Sequence, residues 1–293
     1  NVCKSGLESG RGVAARVAHT HQTLRISTPV MMPCWSKAAP VAPDGSFALR
    51  DAREAEAVTR LIGRSFAGTI DHAPELSLDW MLGPHLPRGH PLRVETVTFF
   101  MKIGVAQRGD AWTLASRDDD GALCGATLCR RMESGRKGLL EPLVSGWRTF
   151  ATIAWAMASG KMPAFYTSGE HKELRRTAMG PMDKRTASVF KTMAKIHATH
   201  APGPHYYAAI VAVDPPHQKR GHAGRMMREL SRLADAEGLP CYLEASGEAN
   251  RELYRHLGYE VVGTYAHDEP AEPDWPDMVH FYAMVRPARA ATK

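Results

Sequence analysis

The chain has 293 residues and is 44% hydrophobic, 8% aromatic and 23% charged, a composition that excludes collagen-like, coiled-coil and wholly disordered proteins. Its 37 basic and 31 acidic residues give a net charge of +6, which suits an anionic partner such as a phosphorylated cofactor, nucleic acid or a membrane surface. The longest apolar stretch, residues 138–159, is interrupted by Glu141 and Arg148, so we expect no transmembrane span.

The cysteines form no recognisable framework. They are odd in number and contain no CxxC pair, so neither a set of disulfides nor a zinc ribbon is indicated, and a reducing, intracellular compartment is expected. We expect Cys241, which begins a predicted strand, to be a plain buried thiol. The five cysteines are Cys3, Cys34, Cys124, Cys129 and Cys241.

Residues 1–45 contain five basic and two acidic residues among many Ser, Thr and Ala, without an apolar period. This composition predicts disorder. It is typical of an organelle transit segment, and equally of a solvated tail on a cytoplasmic protein.

Hydrophobic periodicity and turn signals predict the first ordered elements. Two strands on either side of Asp118-Asp-Asp-Gly121 predict a β-hairpin. In chain order the elements are a strand at Phe47–Arg50, helices at Ala52–Phe66, Leu76–Leu82 and Val94–Val105, and strands at Ala111–Ala115 and Ala122–Cys129.

The sequence from about residue 130 to 185 is basic and irregular, and we interpret it as an insertion with one helix at Leu139–Ala158. Thr186 is then the expected N-cap of a helix that ends before Pro202. The elements predicted beyond it are a strand at Tyr206–Val213, a helix at His222–Glu237, a strand at Leu239–Ala245, a helix at Glu248–Leu257, and strands at Tyr259–Tyr265 and Met278–Val285.

The most informative segment joins the strand at Tyr206–Val213 to the following helix. It contains Asp214-Pro-Pro and then Gln218-Lys-Arg-Gly-His-Ala-Gly224. Small residues let backbone N–H groups approach a phosphate, and the unpaired N–H groups and dipole of a helix N-terminus attract anions. Alone, such a turn is weak evidence, because strand-to-helix connections often need glycine for geometry.

Further motifs accompany this turn along the chain. The chain contains, in order, a strand, V-x-P, Q-x-x-G-x-A, an amphipathic helix, a strand and N-x3-Y-x3-G-Y. This order resembles the GCN5-related N-acetyltransferase (GNAT) superfamily, most strongly over residues 205–263. The resemblance implies an α/β fold, with a mixed, mainly antiparallel twisted sheet and helices on both faces. The domain would span 46–287, with 288–293 as a tail.

The resemblance also implies acetyl-CoA as co-substrate. The turn would cradle its pyrophosphate, and the preceding strand would pair with the pantetheine amides where the fourth and fifth strands splay apart. His217 and His222 flank the turn and are expected at the surface. The implied cofactor-binding residues are Ile210, Val211, Ala212, Val213, Gln218, Lys219, Arg220, Gly221, His222, Ala223, Gly224, Arg225 and Asn250.

Tyr254 is the candidate general acid. It lies four residues after Asn250 and so shares its helix face, which by the resemblance meets the far end of the cofactor. A phenol with a pKa of about 10 can protonate the CoA thiolate as it leaves. The alternative is that Tyr254 is a core aromatic residue.

A base must take a proton from the acceptor amine. Several family members carry a Glu on the strand before the turn, but Tyr206-Tyr-Ala-Ala-Ile-Val contains none. Glu244 on the next strand is the nearest substitute, and an ordinary strand carboxylate in a salt bridge is the alternative. His205 and proton loss through water are further options.

A metal is not expected. His197, His200 and His205 could together form a metal site, but the family that the chain resembles needs no metal, and helix histidines that face solvent are common.

The resemblance implies that the acceptor enters opposite the cofactor, over the early helices and the loop that joins the last two strands. This loop carries five acidic residues, which either steer a cationic amine or form a solvated rim stiffened by prolines. The spacing from Trp147 to Met157 resembles a helix of family members that act on small molecules. The acidic residues are Asp268, Glu269, Glu272, Asp274 and Asp277.

The sequence therefore predicts an N-acetyltransferase that moves an acetyl group to a small-molecule amine by direct attack in a ternary complex, since no Cys or Ser motif suggests an acyl-enzyme. The alternative is a non-catalytic acyl-CoA-binding regulatory module of the same fold. A nucleic-acid binder is not expected, because the basic residues are scattered.

Overall fold

The computed structural model describes residues 52–107, 112–133, 141–267 and 279–289. The helices are α1 (Ala52–Ala67), α2 (Leu76–Leu82), α3 (Arg93–Gln107), α4 (Glu141–Ala158), α5 (Ala164–Thr167), α6 (Lys172–His200), α7 (His222–Ala236) and α8 (Glu248–His256). The strands are β1 (Trp112–Arg117), β2 (Leu123–Met132), β3 (His205–Val213), β4 (Cys241–Ser246), β5 (Glu260–His267) and β6 (Val279–Arg286).

The strands form one mixed sheet in the order β1-β2-β3-β4-β6-β5. All neighbouring pairs are antiparallel except β3 and β4, which run parallel. Helices α1, α2 and α6 pack on one face, and α7 and α8 pack on the other. The predicted α/β fold, with a mainly antiparallel sheet covered on both faces, is confirmed.

The helices form where apolar residues recur at helical spacing. In α1, Val58, Leu61 and Ile62 are buried against the sheet. In α7, Met226 and Leu230 are buried on the opposite face of the sheet. Such one-sided burial is what stabilises short helices, because their intrinsic propensity is weak.

Strands β3 and β4 separate soon after they meet. They pair only at Tyr206 with Cys241 and at Tyr207 with Tyr242. Beyond these pairs, β3 continues to Val213 and β4 to Ser246. A register shift against β2 at Leu128/Cys129 places a bulge in β3, which bends a strand and increases its twist. The two strands predicted to splay therefore part toward their carboxyl ends.

Most predicted elements agree with the structure to within a few residues, including the β1–β2 hairpin and the β5–β6 pair. The strand predicted at Phe47–Arg50 and the tail at residues 1–45 lie outside the described residues, as do the first two residues of the helix predicted at 139–158. The prediction that Thr186 caps a helix is wrong, because α6 begins at Lys172.

The early start of α6 has a packing cause. Ala178, Met182 and Arg185 are buried and continue the helical spacing of Val189 and Ile196. Burial of this face outweighs Pro181, which lies inside the helix and removes one N–H donor.

The segment between β2 and β3 joins the same core as α1. Phe165 of α5 and Ala178 and Met182 of α6 are buried in the cluster that contains the α1 side chains. Within the part of the chain that the structure describes, no helix combines the length and hydrophobicity needed to cross a bilayer.

Replacing Gly63 with alanine should lower the free energy of unfolding by about 1 to 3 kcal/mol. A Cβ at this position of α1 would lie 2.8 Å from Cα of Thr98 in α3, so the two helices would have to move apart. This cost outweighs the gain in helix propensity, which is at most about 1 kcal/mol.

Gly104 of α3 is the matched control. A Cβ there meets no described atom within 4 Å, so Gly104→Ala should be neutral or stabilising by up to about 1 kcal/mol. Urea denaturation followed by circular dichroism measures both variants. Equal effects of the two substitutions would contradict close packing of α1 on α3.

Candidate active site

The turn between β3 and α7 exposes backbone N–H groups. A 3₁₀ turn at Pro215–His217 leads into Gln218, and Lys219 and Gly221 then adopt left-handed conformations with φ of +63° and +82°. Successive N–H groups in such alternating conformations form a concave anion site. Gly221 is the N-cap of α7 and offers no side chain to the first helical N–H groups. Lys219 and Arg220 are exposed beside them, which adds positive charge.

An ion pair holds this turn in place. Arg64 of α1 donates to both carboxylate oxygens of Asp214, with distances of 2.9 Å from Nε and 2.8 Å from Nη2. The backbone N–H of Asp214 donates to the carbonyl of Cys124 in β2, and its own carbonyl accepts the N–H of His217. The turn between β3 and α7, a candidate anion-binding turn, is thus fixed to both α1 and the hairpin.

His222 is buried, contrary to the sequence-based expectation that it lies at the surface. Its Nδ1 lies 2.9 Å from Oγ of Ser116 in β1 and 2.7 Å from Nη2 of Arg225. Burial and then Arg225 lower the pKa of His222, so the ring is neutral at pH 7. Because a guanidinium only donates, Nδ1 is the acceptor. The Nδ1 edge of the imidazole is therefore held by Ser116 and Arg225.

Gly125 of β2 explains why His222 can sit so deep. A Cβ on Gly125 would lie 3.5 Å from Cβ of His222 and 2.9 Å from Cε of Met226. The absence of a side chain therefore lets the first turn of α7 approach the sheet. The sequence analysis missed this residue, although a glycine inside a predicted strand is a known signal of close backbone approach.

The carboxyl half of β3 borders the open side of the sheet. Residues Ile210 to Val213 pair with β2 along one edge, and none of them pairs with β4 along the other. Ile210 and Ala212 are buried, and Val211 and Val213 are half-buried. Backbone groups that are not used in a ladder are available to a ligand that lies along the strand.

Helix α8 supplies the candidate acid. Asn250 donates from Nδ2 to the carbonyl of Ser246 at 3.0 Å, which ties the helix to the end of β4. Tyr254 is buried, and its ring lies 5.9 Å from that of Tyr259. Burial and then Glu75 raise the pKa of Tyr254. A tyrosine in this state stays protonated at neutral pH, as a proton donor must.

Glu75 was not anticipated from the sequence. It is the N-cap of α2, where it accepts the N–H groups of Ser77 and Leu78, and it also contacts the hydroxyl of Ser246. It therefore fixes α2 beside the end of β4 and close to Tyr254. An acidic residue directly before the predicted helix at Leu76 is a recognisable capping signal.

Glu244 lies in a buried polar cluster on the α6 side of the sheet. Its side chain is 2% exposed and accepts a 2.8 Å hydrogen bond from the Tyr207 hydroxyl. His197 of α6 approaches it, with Nδ1 3.8 Å from Oε1. Burial and then Glu244 raise the pKa of Tyr242. Glu244 is thus a buried carboxylate with His197 and Tyr207 as its neighbours.

The histidines of this cluster have defined donor and acceptor roles. Nδ1 of His205 lies 2.7 Å from the carbonyl of Gly203, which can only accept, so this nitrogen carries a proton. Burial lowers the pKa of His205, so the ring is neutral and its Nε2 accepts from Nε2 of His197 at 2.8 Å. Nδ1 of His197 is thereby turned toward Glu244.

His197, His200 and His205 do not converge on one point. His200 instead contacts the hydroxyl of Tyr265 at 2.5 Å. Metal-ligand geometry at these three histidines would need all rings to face a common centre.

The sequence analysis also singled out Cys241, the segment from Trp147 to Met157 and the acidic loop. Cys241 is fully buried, and burial raises its pKa to about 11, which agrees with an inert thiol. Trp147 and Met157 are exposed on α4. The acidic loop at residues 268–277 lies outside the described residues.

Comparison with known proteins identifies relatives of this chain. Residues 189–261 match the family model of the acetyltransferase (GNAT) domain. An uncharacterised N-acetyltransferase of Schizosaccharomyces pombe is 35% identical over 54 residues. That match covers 18% of this chain and 22% of the relative, so it spans about a fifth of that protein's length.

Solved structures align over more of the chain at lower identity. One, described as histone acetyltransferase HPA2 and related acetyltransferase from Corynebacterium glutamicum, is 16% identical, with a TM-score of 0.45, and covers 85% of this chain and 99% of its own. Arylalkylamine N-acetyltransferase 2 from Aedes aegypti is 12% identical, with a TM-score of 0.47, and covers 83% of this chain and 98% of its own.

Proposed function

We propose that this chain, as a member of the GNAT superfamily of acetyltransferases, moves an acetyl group from acetyl-CoA to a small-molecule amine by direct attack in a ternary complex. The observation that carries the proposal is the parting of β3 and β4 directly after Tyr207 and Tyr242. The turn proposed to bind anions follows the end of β3, and α8, the helix of Tyr254, follows the end of β4. Both therefore lie at the ends of the two strands that part.

Acetyl-CoA would be held mainly by backbone groups. The N–H groups from Lys219 to Gly224 would bind the pyrophosphate, and Lys219 and Arg220 would add attraction for its charge. Residues Ile210 to Val213 would pair with the pantetheine amides. Asn250 would contribute by holding the first turn of α8 against Ser246, beside the acetyl end.

In the proposed reaction the amine nitrogen attacks the thioester carbonyl carbon. The new C–N bond forms, the C–S bond breaks, and the sulfur receives a proton from the hydroxyl of Tyr254. The acceptor ammonium gives up two protons in all. One restores Tyr254, and the other leaves through Glu244, so that the products are the acetylated amine, CoA and one released proton.

The Glu244 side chain is 2% exposed, so another group must carry that proton from its carboxylate to water. His197 is the more exposed neighbour of the carboxylate, with a side chain that is 12% exposed and Nδ1 3.8 Å from Oε1. The hydrogen bond from His197 to the neutral His205 orients the imidazole. The proton would therefore pass from Glu244 to His197 and then to water.

Replacing Glu244 with glutamine should reduce kcat about 100-fold at pH 7. Glutamine keeps the size and the hydrogen bond from Tyr207, but it cannot accept the amine proton. The deficit should shrink as pH rises, because more of the acceptor is then already the free amine. Initial rates of CoA release measured against pH check this expectation.

Glu237→Gln is the matched control. Glu237 accepts a 2.5 Å hydrogen bond from the hydroxyl of Tyr206, so it forms the same type of pair on the α7 side of the sheet. Its replacement should leave kcat within about twofold. A Glu244 variant that behaves like the Glu237 variant would remove Glu244 from the mechanism.

The proposed function is tested by calorimetric titration of the full chain with acetyl-CoA, followed by a thiol-release assay against primary amines. Polyamines, arylalkylamines and amino sugars form a suitable panel. Binding with amine-dependent CoA release supports the proposal. Binding without release for every amine favours a regulatory acyl-CoA-binding module, and absence of binding overturns both functions.

A further inference from the structure

Three different metal-ligand groups meet beside the anion-binding turn. The carboxylate of Asp118, the thiol of Cys124 and a ring nitrogen of His217 lie within 4.8 Å of one another. Asp118 and Cys124 belong to the β1–β2 hairpin, and His217 ends the 3₁₀ turn directly before Gln218. We propose that these three residues bind a divalent transition-metal ion of the zinc class. The proposal is independent of the transferase reaction.

The hairpin presents Asp118 and Cys124 on the same side. Oδ1 of Asp118 accepts the N–H of Ala122 at 2.7 Å, and Sγ of Cys124 lies 3.3 Å from the carbonyl of Ala122. Both contacts are local to the turn, so they fix the two side chains relative to each other. Oδ2 of Asp118 remains directed toward His217, with 4.0 Å between it and Nε2.

His217 has hydrogen-bonding capacity that the described protein groups do not meet. Its Nε2 is too far from Asp118 for a hydrogen bond. Its Nδ1 is buried and makes no hydrogen bond to a described residue. The residue itself is held firmly, because its backbone N–H donates to Asp214 at 2.8 Å and Asp214 is bound by Arg64. An imidazole that is fixed through its backbone, and whose ring makes no hydrogen bond to a described residue, is well suited to a metal ion.

The distances are compatible with coordination after small side-chain rotations. Ligands about 2.0 to 2.3 Å from a tetrahedral zinc ion lie roughly 3.3 to 3.8 Å apart, so the donors must close by about 1 Å. The side chains of His217 and Asp118 are 24% and 32% exposed, which gives the ion a route of entry. Three protein ligands leave a fourth position for water.

The donor set determines which metal is expected. Thiolate and imidazole ligands favour Zn²⁺ and Co²⁺, whereas Mg²⁺ and Ca²⁺ prefer oxygen ligands alone. A bound ion would link the hairpin to the residue before Gln218 and so stiffen the anion-binding turn. We therefore expect a metal site that supports the turn, keeps one water ligand, and is distinct from Glu244 and Tyr254.

The test is a titration of the reduced, metal-free full chain with Co²⁺, followed by absorption spectroscopy. We expect one equivalent to bind with a near-ultraviolet thiolate-to-cobalt band, and Zn²⁺ but not excess Mg²⁺ to displace it. Cys124→Ser should abolish the band, and His217→Gln should weaken binding at least about tenfold. Cys129→Ala removes another buried thiol of β2 and should leave the band unchanged.

Two results would overturn the proposal. One is the absence of a thiolate band in the unmodified chain, and the other is a band that survives in Cys124→Ser or disappears in Cys129→Ala. Circular dichroism establishes that each variant is folded. Should Cys124→Ser unfold, the partly exposed His217 supplies the deciding variant, because unchanged Co²⁺ affinity in His217→Gln also rejects the site.

Discussion

Replacing Arg93 with methionine should lower the free energy of unfolding by about 3 to 5 kcal/mol. The Arg93 side chain is 1% exposed, and its donors reach three different segments. Nε donates to the carbonyl of Ala67 at 2.7 Å, Nη1 to that of Leu86 at 2.5 Å, and Nη2 to Asp79 at 2.5 Å. Methionine keeps the apolar stem but leaves a carboxylate and two buried carbonyls without these donors.

Arg88 provides a control on the same carboxylate. Its Nη2 lies 3.7 Å from Oδ2 of Asp79, and its side chain is 48% exposed. An exposed pair of this kind contributes at most about 1 kcal/mol, so Arg88→Met should change stability little. Urea denaturation of both variants, with the slope of the transition compared, measures the difference. Similar losses for the two variants would show that burial of Arg93 is not what stabilises the end of α1 and the start of α3.

Replacing Tyr254 with phenylalanine should reduce kcat about 100- to 1,000-fold while the dissociation constant for acetyl-CoA changes less than about threefold. The phenyl ring fills the same buried space, so packing is retained, but the thiolate loses its proton donor. Because burial and Glu75 raise the pKa of Tyr254, the hydroxyl stays protonated well into the alkaline range. The alkaline loss of activity should therefore not occur near pH 10 in the unmodified chain.

Tyr259→Phe is the matched control for this experiment. Tyr259 is also buried, its ring lies 5.9 Å from that of Tyr254, and it packs in the same apolar cluster. Its replacement should leave kcat within about threefold. CoA release and calorimetric binding of acetyl-CoA measure the two quantities for both variants. A normal kcat in Tyr254→Phe would mean that Tyr254 is a core aromatic residue.

Local sequence signals predicted most of the fold. The spacing of Val58, Leu61 and Ile62 predicted α1, and the glycine turn at residue 121 predicted the hairpin. These features depend on neighbours within one or two turns of the chain. The start of α6 was mispredicted because residues 130–185 are locally basic and irregular and Thr186 is a capping residue, whereas the burial that extends the helix comes from the cluster that also contains α1 and α2 side chains.

In the candidate site, too, local sequence signals predicted some features and not others. The sequence alone determined the turn at Gln218–Gly224 and the helix face of Asn250 and Tyr254, because an N-terminal helix turn and a four-residue spacing are properties of one segment. It also suggested Glu244, but only as one of several possible bases.

Tertiary structure alone decided which side chains meet. Glu244 meets His197 and Tyr207, Glu75 meets Ser246, and His222 is buried over Gly125, through contacts between residues more than 30 positions apart. The approach of His217 to Asp118 and Cys124 is of the same kind. A single sequence carries no local signal for such pairs, because their proximity follows from strand order and helix packing, which are set by burial across the whole domain.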